Sequence, residues 1–245
     1  MTKRLKIFTN LYILNLVIIY FILLFLISFL GCFYFIEKIL FFLSLPLINV
    51  LEGQLHFIYT DITQLFLTYL ISCFYISIYI SYPIILVGLF IFLIPGLYKY
   101  EKIYMGRIIL LSIFLMLIGG LICYKIILPI IIKFFFSLEI FNSIEFSIEF
   151  QPKINEYILF IIRLIFLFSL FFQLPLIIIL LIDYSYLNEK FIIKKRHYFI
   201  IISLILGALL SPPDVLSQLI FSLLFIILYE ISIIILKIKY FYNLK

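Results

Sequence analysis

Charge is what this chain lacks most. Only 12% of its 245 residues are Asp, Glu, Lys or Arg, against 67% that are apolar, and so little charge cannot cover a water-soluble surface. Cysteine is scarce as well: Cys32, Cys73 and Cys123 all fall in apolar stretches without C-x-x-C spacing, so neither a disulfide framework nor a metal site is indicated. They read as small buried hydrophobes. The only two histidines, His56 and His197, lie in connecting segments, and no apolar stretch offers a haem ligand pair. G-x-S-x-G, H-E-x-x-H, a Walker loop and a carboxylate pair at mid-depth are all missing, which removes the groups for hydrolysis, metal chemistry and nucleotide-driven transport. The chain therefore reads as a non-enzyme with no catalytic residue, cofactor or metal. Tryptophan is absent while Ile, Phe and Tyr abound, a bias typical of an A/T-rich genome that points to an organelle or a reduced bacterium. About ten residues precede the first apolar run, too few for an Arg/Ser-rich transit peptide, and that run is too long for a cleaved signal. An organellar version would be made inside the organelle.

What is present is hydrocarbon-compatible sequence, with a mean hydropathy of +1.35. Apolar runs of membrane-spanning length predict six helices, at approximately 11–35, 63–93, 108–135, 157–182, 198–210 and 215–236. A β-barrel would alternate apolar and polar residues, whereas Leu11–Phe35 is apolar on nearly every face. The expectation is an all-α polytopic bundle forming one membrane domain over residues 1–245. Six spans put both termini on one side. Lys3, Arg4, Lys6, Lys99, Lys102, Arg107, Lys190, Lys194, Lys195, Arg196, Lys237, Lys239 and Lys245 flank one face, against Lys38, Lys133 and Lys153 on the other, which places both termini inside. The fifth span, Tyr198–Leu210, would rise only about 20 Å against a hydrocarbon core of about 30 Å. Glu230 leaves about 22 Å of uncharged helix in the sixth. Either the bilayer thins there, or His197, Tyr198 and Glu230 reach the headgroups.

Several polar positions need partners. Gln173 sits near mid-span, where its amide must face the bundle or a water-filled concavity; a helix–helix clamp and a hydrated docking site both satisfy that demand. Pro175 frees a carbonyl one turn earlier and is expected to kink this helix. Arg163 lies close enough to the outer end of its span to snorkel, and Glu156, seven residues earlier, is its expected loose partner. Lys125 reads as another snorkelling cation. The first outer loop carries Phe41–Ile48 with Pro46, apolar enough to lie at the interface as a bent amphipathic element capping the bundle. Ser211-Pro212-Pro213-Asp214 is a rigid turn between the last two spans.

Taken together, Leu45-Pro46-Leu47-Ile48, Pro95-Gly96-Leu97-Tyr98-Lys99-Tyr100-Glu101, Ile118-Gly119 with Tyr124 and Pro129, Phe172-Gln173-Leu174-Pro175, Lys194-Lys195-Arg196 and Ser211-Pro212-Pro213-Asp214 with Ser217-Gln218 resemble the TatC family, the membrane receptor of the twin-arginine (Sec-independent) protein translocase. The resemblance implies a six-helix, glove-shaped fold with short fifth and sixth helices and a concave membrane face. It implies binding of twin-arginine signal peptides of folded cargo at Tyr98, Lys99 and Glu101, with Glu101 as the charge partner, and partner docking or concave-face polarity at Gln173, Pro175 and Gln218. It also implies single-span TatA/TatB-like partners, a homo-oligomer in the lipid bilayer, transport driven by the proton-motive force, and no nucleic acid. The organellar branch fits best, in the mitochondrial inner membrane with both termini in the matrix; a plastid thylakoid or bacterial inner membrane is the alternative. Two departures stand out. Met1-Thr2-Lys3-Arg4-Leu5-Lys6 lacks the acidic N-terminal motif of bacterial members, and Gln173 stands where many of them carry Glu, so this position cannot titrate. The competing reading is a small-solute transporter or channel lined by Gln173, Arg163 and Glu230.

Overall fold

A computed structural model describes residues 2–50, 57–58, 61–140, 152–183, 192, 194–210 and 215–243. Apolar sequence with few breakers yields helices: α1 (Thr2–Tyr34), α2 (Ile36–Val50), α3 (Ile62–Leu93), α4 (Lys99–Ile122), α5 (Leu128–Ile140), α6 (Ile154–Phe171), α7 (Leu174–Asp183), α8 (Arg196–Leu210) and α9 (Val215–Asn243). Five apolar stretches are long enough to cross a membrane, Tyr12–Tyr34, Thr63–Gly96, Lys99–Phe135, Ile154–Asp183 and Gln218–Ile238, with Arg196–Ala208 as a shorter sixth. All six expected spans are thus helical, and the protein is an all-α multi-pass membrane protein. The fifth is short, as its sequence implies. The sixth, expected over 215–236, belongs to a helix of 29 residues that runs on to Asn243.

Prolines explain most irregularities. Pro129 lacks an N–H and its ring crowds the carbonyl four residues back. The chain responds just before it with a π-helical turn, Cys123–Ile127, in which Leu128 N–H reaches the Cys123 carbonyl. Pro175 acts more strongly than expected: instead of a kink, α6 ends at Phe171 and α7 starts at Leu174. The backbone turns through Phe172 and Gln173, whose N–H groups reach the Phe168 carbonyl at 3.1 Å and the Leu170 carbonyl at 3.0 Å.

The helices fall into two compact units, one of Met1–Phe114 with Leu121–Phe166, the other of Leu115–Gly120 with Leu167–Lys245. In the first, small residues let α1 and α3 approach. Thr68, Ser72, Ser77 and Ser81 are buried along α3, and a Cβ on Gly88 would come within 2.5 Å of Val17. Thr68 and Ser77 donate to the carbonyls of Leu65 and Cys73 in their own helix, both at 2.6 Å, so these hydroxyls carry no desolvation cost. α2 packs on α5 through an apolar stripe of Ile36, Leu40, Leu43 and Leu47 at helical spacing. This part of the first outer loop is thus helical over Ile36–Val50.

In the second unit the core is aromatic. Phe168, Phe221 and Phe225 are almost fully buried, and Phe171 meets Phe225 with ring centroids 4.0 Å apart. A second cluster joins Ile178, Ile192, Tyr229, Ile233 and Leu236.

Candidate functional site

Pro46 and Tyr124 are connected in the first unit through the Phe42 carbonyl. Within α2, Pro46 has no N–H to give the Phe42 carbonyl, which is left without its helical donor. Tyr124, carried on the π-helical turn, donates its hydroxyl to that carbonyl at 2.5 Å and stacks on the Phe42 ring at 4.7 Å and 10°. The residue that breaks the ladder and the one that repairs it are therefore linked through the Phe42 carbonyl. Tyr157, also in this unit, packs against Phe57.

At the opposite end of α3, a short 3-10 turn, Ile94–Gly96, leads into α4. Tyr98, Lys99 and Glu101 are gathered here. Glu101, in the first turn of α4, reaches back so that its Oε2 accepts the Tyr98 N–H at 2.8 Å, the carboxylate half of a capping box. It thus satisfies one orphan donor and places negative charge at the positive end of the helix dipole. The second carboxylate oxygen leaves chemistry for a guanidinium. Tyr98 and Tyr100 are exposed and stack in parallel, 6.0 Å apart, with Lys99 exposed between them.

In the second unit, Gln173 lies in the turn between α6 and α7 and is buried, at 6% exposure. Its backbone carbonyl accepts from Ile177 at 3.0 Å, starting α7. Beside it, the Phe172 ring fills the space over Gly119, where a Cβ would sit 2.9 Å from the ring. The Gly119 noted in the sequence is thus a seat for Phe172. Pro175 is buried in the first turn of α7.

Gln218 closes the α8–α9 pair: its Nε2 donates to the Leu204 carbonyl at 3.1 Å. On the same seam a Cβ on Gly207 would lie 2.8 Å from the Gln218 backbone oxygen, so the two helices touch backbone to backbone. Gln218 is one turn from Phe221, which meets Phe168, and this aromatic contact links it to α6, the helix that ends at Phe171 just before Gln173. Pro212, Pro213 and Asp214 lie outside the described residues.

Sequence reasoning missed the far end of this pair. Glu230, read from the sequence as lying in a thinned bilayer or reaching the headgroups, has a partner in Arg196 at 3.5 Å. Next to it, Tyr229 donates to the Ile192 carbonyl at 2.9 Å and stacks on Phe199 at 4.0 Å. Opposite charges at the start of α8 and inside α9 were the available signal. Likewise Glu156 pairs with Lys153 at 3.6 Å rather than with Arg163, because a neighbour three residues away on the first turn is closer than one two turns on.

Residues 10–223 match the family described as Sec-independent protein translocase protein (TatC). An uncharacterized TatC-like protein of Reclinomonas americana is 36% identical over 99% of this chain and 92% of its own length. The Sec-independent protein translocase protein TatC of Rickettsia prowazekii is 34% identical over 86% of this chain and 84% of its own. A crystal structure of the twin-arginine translocase receptor TatC superposes with a TM-score of 0.79 at 27% identity, covering 92% of this chain and 98% of that one.

Proposed function

Since the chain belongs to the TatC family of Sec-independent protein translocase proteins, we propose that it recognises twin-arginine signal peptides at the N-terminal turn of α4. The observation that carries this reading is the Glu101 carboxylate, held in place by the Tyr98 N–H at 2.8 Å. A pre-oriented carboxylate binds a planar guanidinium through two parallel bonds, which an ammonium cannot match. Tyr98, Tyr100 and Lys99 flank it as an exposed aromatic and cationic rim. No second carboxylate stands in Met1–Lys6, so Glu101 carries the charge recognition without help from that tail.

The second part of the proposal assigns Gln173 and Pro175 to docking of single-span TatA/TatB-like subunits, with Gln218 holding the helix pair beside them. A helix interrupted at Phe172–Gln173 exposes backbone groups to rearrangement in a way an unbroken helix does not. The receptor performs no bond chemistry; assembly of its partners and of further copies of itself uses the proton-motive force to pass folded cargo. The family match runs through both compact units, which supports their acting as one membrane domain.

The proposed setting is the mitochondrial inner membrane with both termini in the matrix, supported by the Lys/Arg asymmetry and by similarity to the Reclinomonas americana protein. A tag near Gly53 should be open to protease only from the outer side; cleavage from the matrix side alone would reverse this map. The function is tested by reconstitution. Vesicles holding the chain and single-span partners should import folded twin-arginine cargo under a proton gradient, whereas solute flux through the purified chain alone would favour a transporter.

A further inference from the structure

The first unit contains an apolar hollow of about 220 Å³ between α2, α3 and α6, walled by Ile39 and Phe42, Tyr75 and Tyr79, and Ile162 and Phe166. Its walls are aliphatic and aromatic side chains, so water entering it would find few partners. A transmembrane helix, about 10 Å across, is too thick for it. A flexible hydrocarbon chain fits.

Two exposed cations directly neighbour its lining residues in the chain, Lys38 before Ile39 and Arg163 after Ile162. Lys38 is exposed and lies one position from Ile39 and one turn from Phe42 on α2, with its Nζ 5.5 Å from the centre of the Phe35 ring. Arg163 is exposed on α6, between Ile162 and Phe166, about 13 Å from the helix start. A guanidinium at that depth is costly unless an anion meets it. The nearest carboxylate on its own helix, Glu156, pairs with Lys153, and Glu37 projects from the far side of α2, away from Ile39 and Phe42.

We infer that this hollow holds one acyl chain of an acidic phospholipid, whose phosphate is drawn to Lys38 and Arg163. A zwitterionic lipid would fill the same space with less charge complementarity, so selectivity among lipids comes from the rim and retention comes from the hollow. Bound lipid would then fill the space beneath α2 and hold the cap against α3 and α6.

The test uses the full chain reconstituted with its partners in phosphatidylcholine vesicles containing a trace of phosphatidylglycerol that carries a photoreactive group midway along one acyl chain. Label should concentrate on peptides containing Ile39–Phe42 and Ile162–Phe166, and unlabelled phosphatidylglycerol should compete better than phosphatidylcholine. The double variant Lys38→Gln with Arg163→Gln should lower labelling about tenfold, as expected for losing two lipid-facing charges. Glu37→Gln, on the opposite face, should leave it unchanged. Ile162→Phe, which narrows the hollow, should reduce labelling with either lipid, and monodispersity of each variant in detergent checks its fold. Even labelling around the whole protein, equal competition by the two lipids, or full labelling of the double variant would overturn the site. So would crosslinking of a partner subunit to this hollow in place of lipid.

Discussion

Replacing Tyr124 by Phe removes a single hydroxyl and keeps the ring that stacks on Phe42 at 4.7 Å, so its effect isolates one hydrogen bond. That bond exists because Pro46 cannot donate to the Phe42 carbonyl. Leaving a buried acceptor unpaired costs about 1–3 kcal/mol, but polar contacts in membrane proteins average nearer 0.6 kcal/mol. The contact is exposed, so water can take up some of the loss, and we expect Tyr124→Phe to destabilise by about 1 kcal/mol at most, roughly fivefold in the folding equilibrium. Pro46→Ala restores a backbone N–H one turn from Phe42. In that background the carbonyl regains an internal donor, and Tyr124→Phe should cost no more than a few tenths of a kcal/mol. The pair should therefore show a coupling energy of about 0.5–1 kcal/mol in a double-mutant cycle. Reversible unfolding in mixed micelles, followed by a probe on α2, gives the four stabilities. Equal losses from Tyr124→Phe in both backgrounds would refute the link between the proline and the tyrosine, and a loss confined to the Pro46→Ala background would reverse it.

The remaining substitutions separate structural from functional roles. Glu101→Gln keeps an oxygen for the Tyr98 N–H but no charge, so export of twin-arginine cargo should fall while abundance holds; Glu101→Ala should in addition lose about 1 kcal/mol of helix capping. If both variants export normally in a transport assay, Glu101 is a cap and nothing more. Gly207→Ala forces a methyl against the Gln218 backbone, where neither side can yield, and should cost about 1–3 kcal/mol, read as loss of the folded form on heating; wild-type stability would show that the α8–α9 seam is looser than described. For Gln173, the docking assignment predicts that Gln173→Leu accumulates but exports poorly while Gln173→Glu accumulates and exports. A degraded Gln173→Glu with a fully active Gln173→Leu would instead make this amide a dry clamp, since burying an unpaired carboxylate costs several kcal/mol.

Helix positions were legible because membrane-length apolar runs leave the chain few alternatives, and each of the six spans appears where its hydropathy placed it. Partners across space were not. Tyr124 and Phe42 are 82 residues apart, and nothing local to either announces the other. The Arg196–Glu230 pair hid behind the habit of charged residues to snorkel, because its members sit on different helices. Pro175 was recognised as a breaker, but whether a proline kinks a helix or ends it depends on what fills the gap, here the Phe172 ring over Gly119. Among the candidate site residues, Glu101 was expected in the first inner loop and stands instead in the first turn of α4, and its bond to the Tyr98 N–H depends on a side-chain rotamer that sequence does not specify.

The central claim is that the entrance to α4 reads paired arginines through one carboxylate. A photoreactive residue at Tyr100, beside Glu101, should crosslink to a twin-arginine signal peptide presented from the side bearing the chain termini. The crosslink should weaken strongly when the peptide's arginines become lysines, and Glu101→Gln should abolish that discrimination. Equal crosslinking of both peptides to the unaltered protein, or undiminished discrimination by Glu101→Gln, would contradict it.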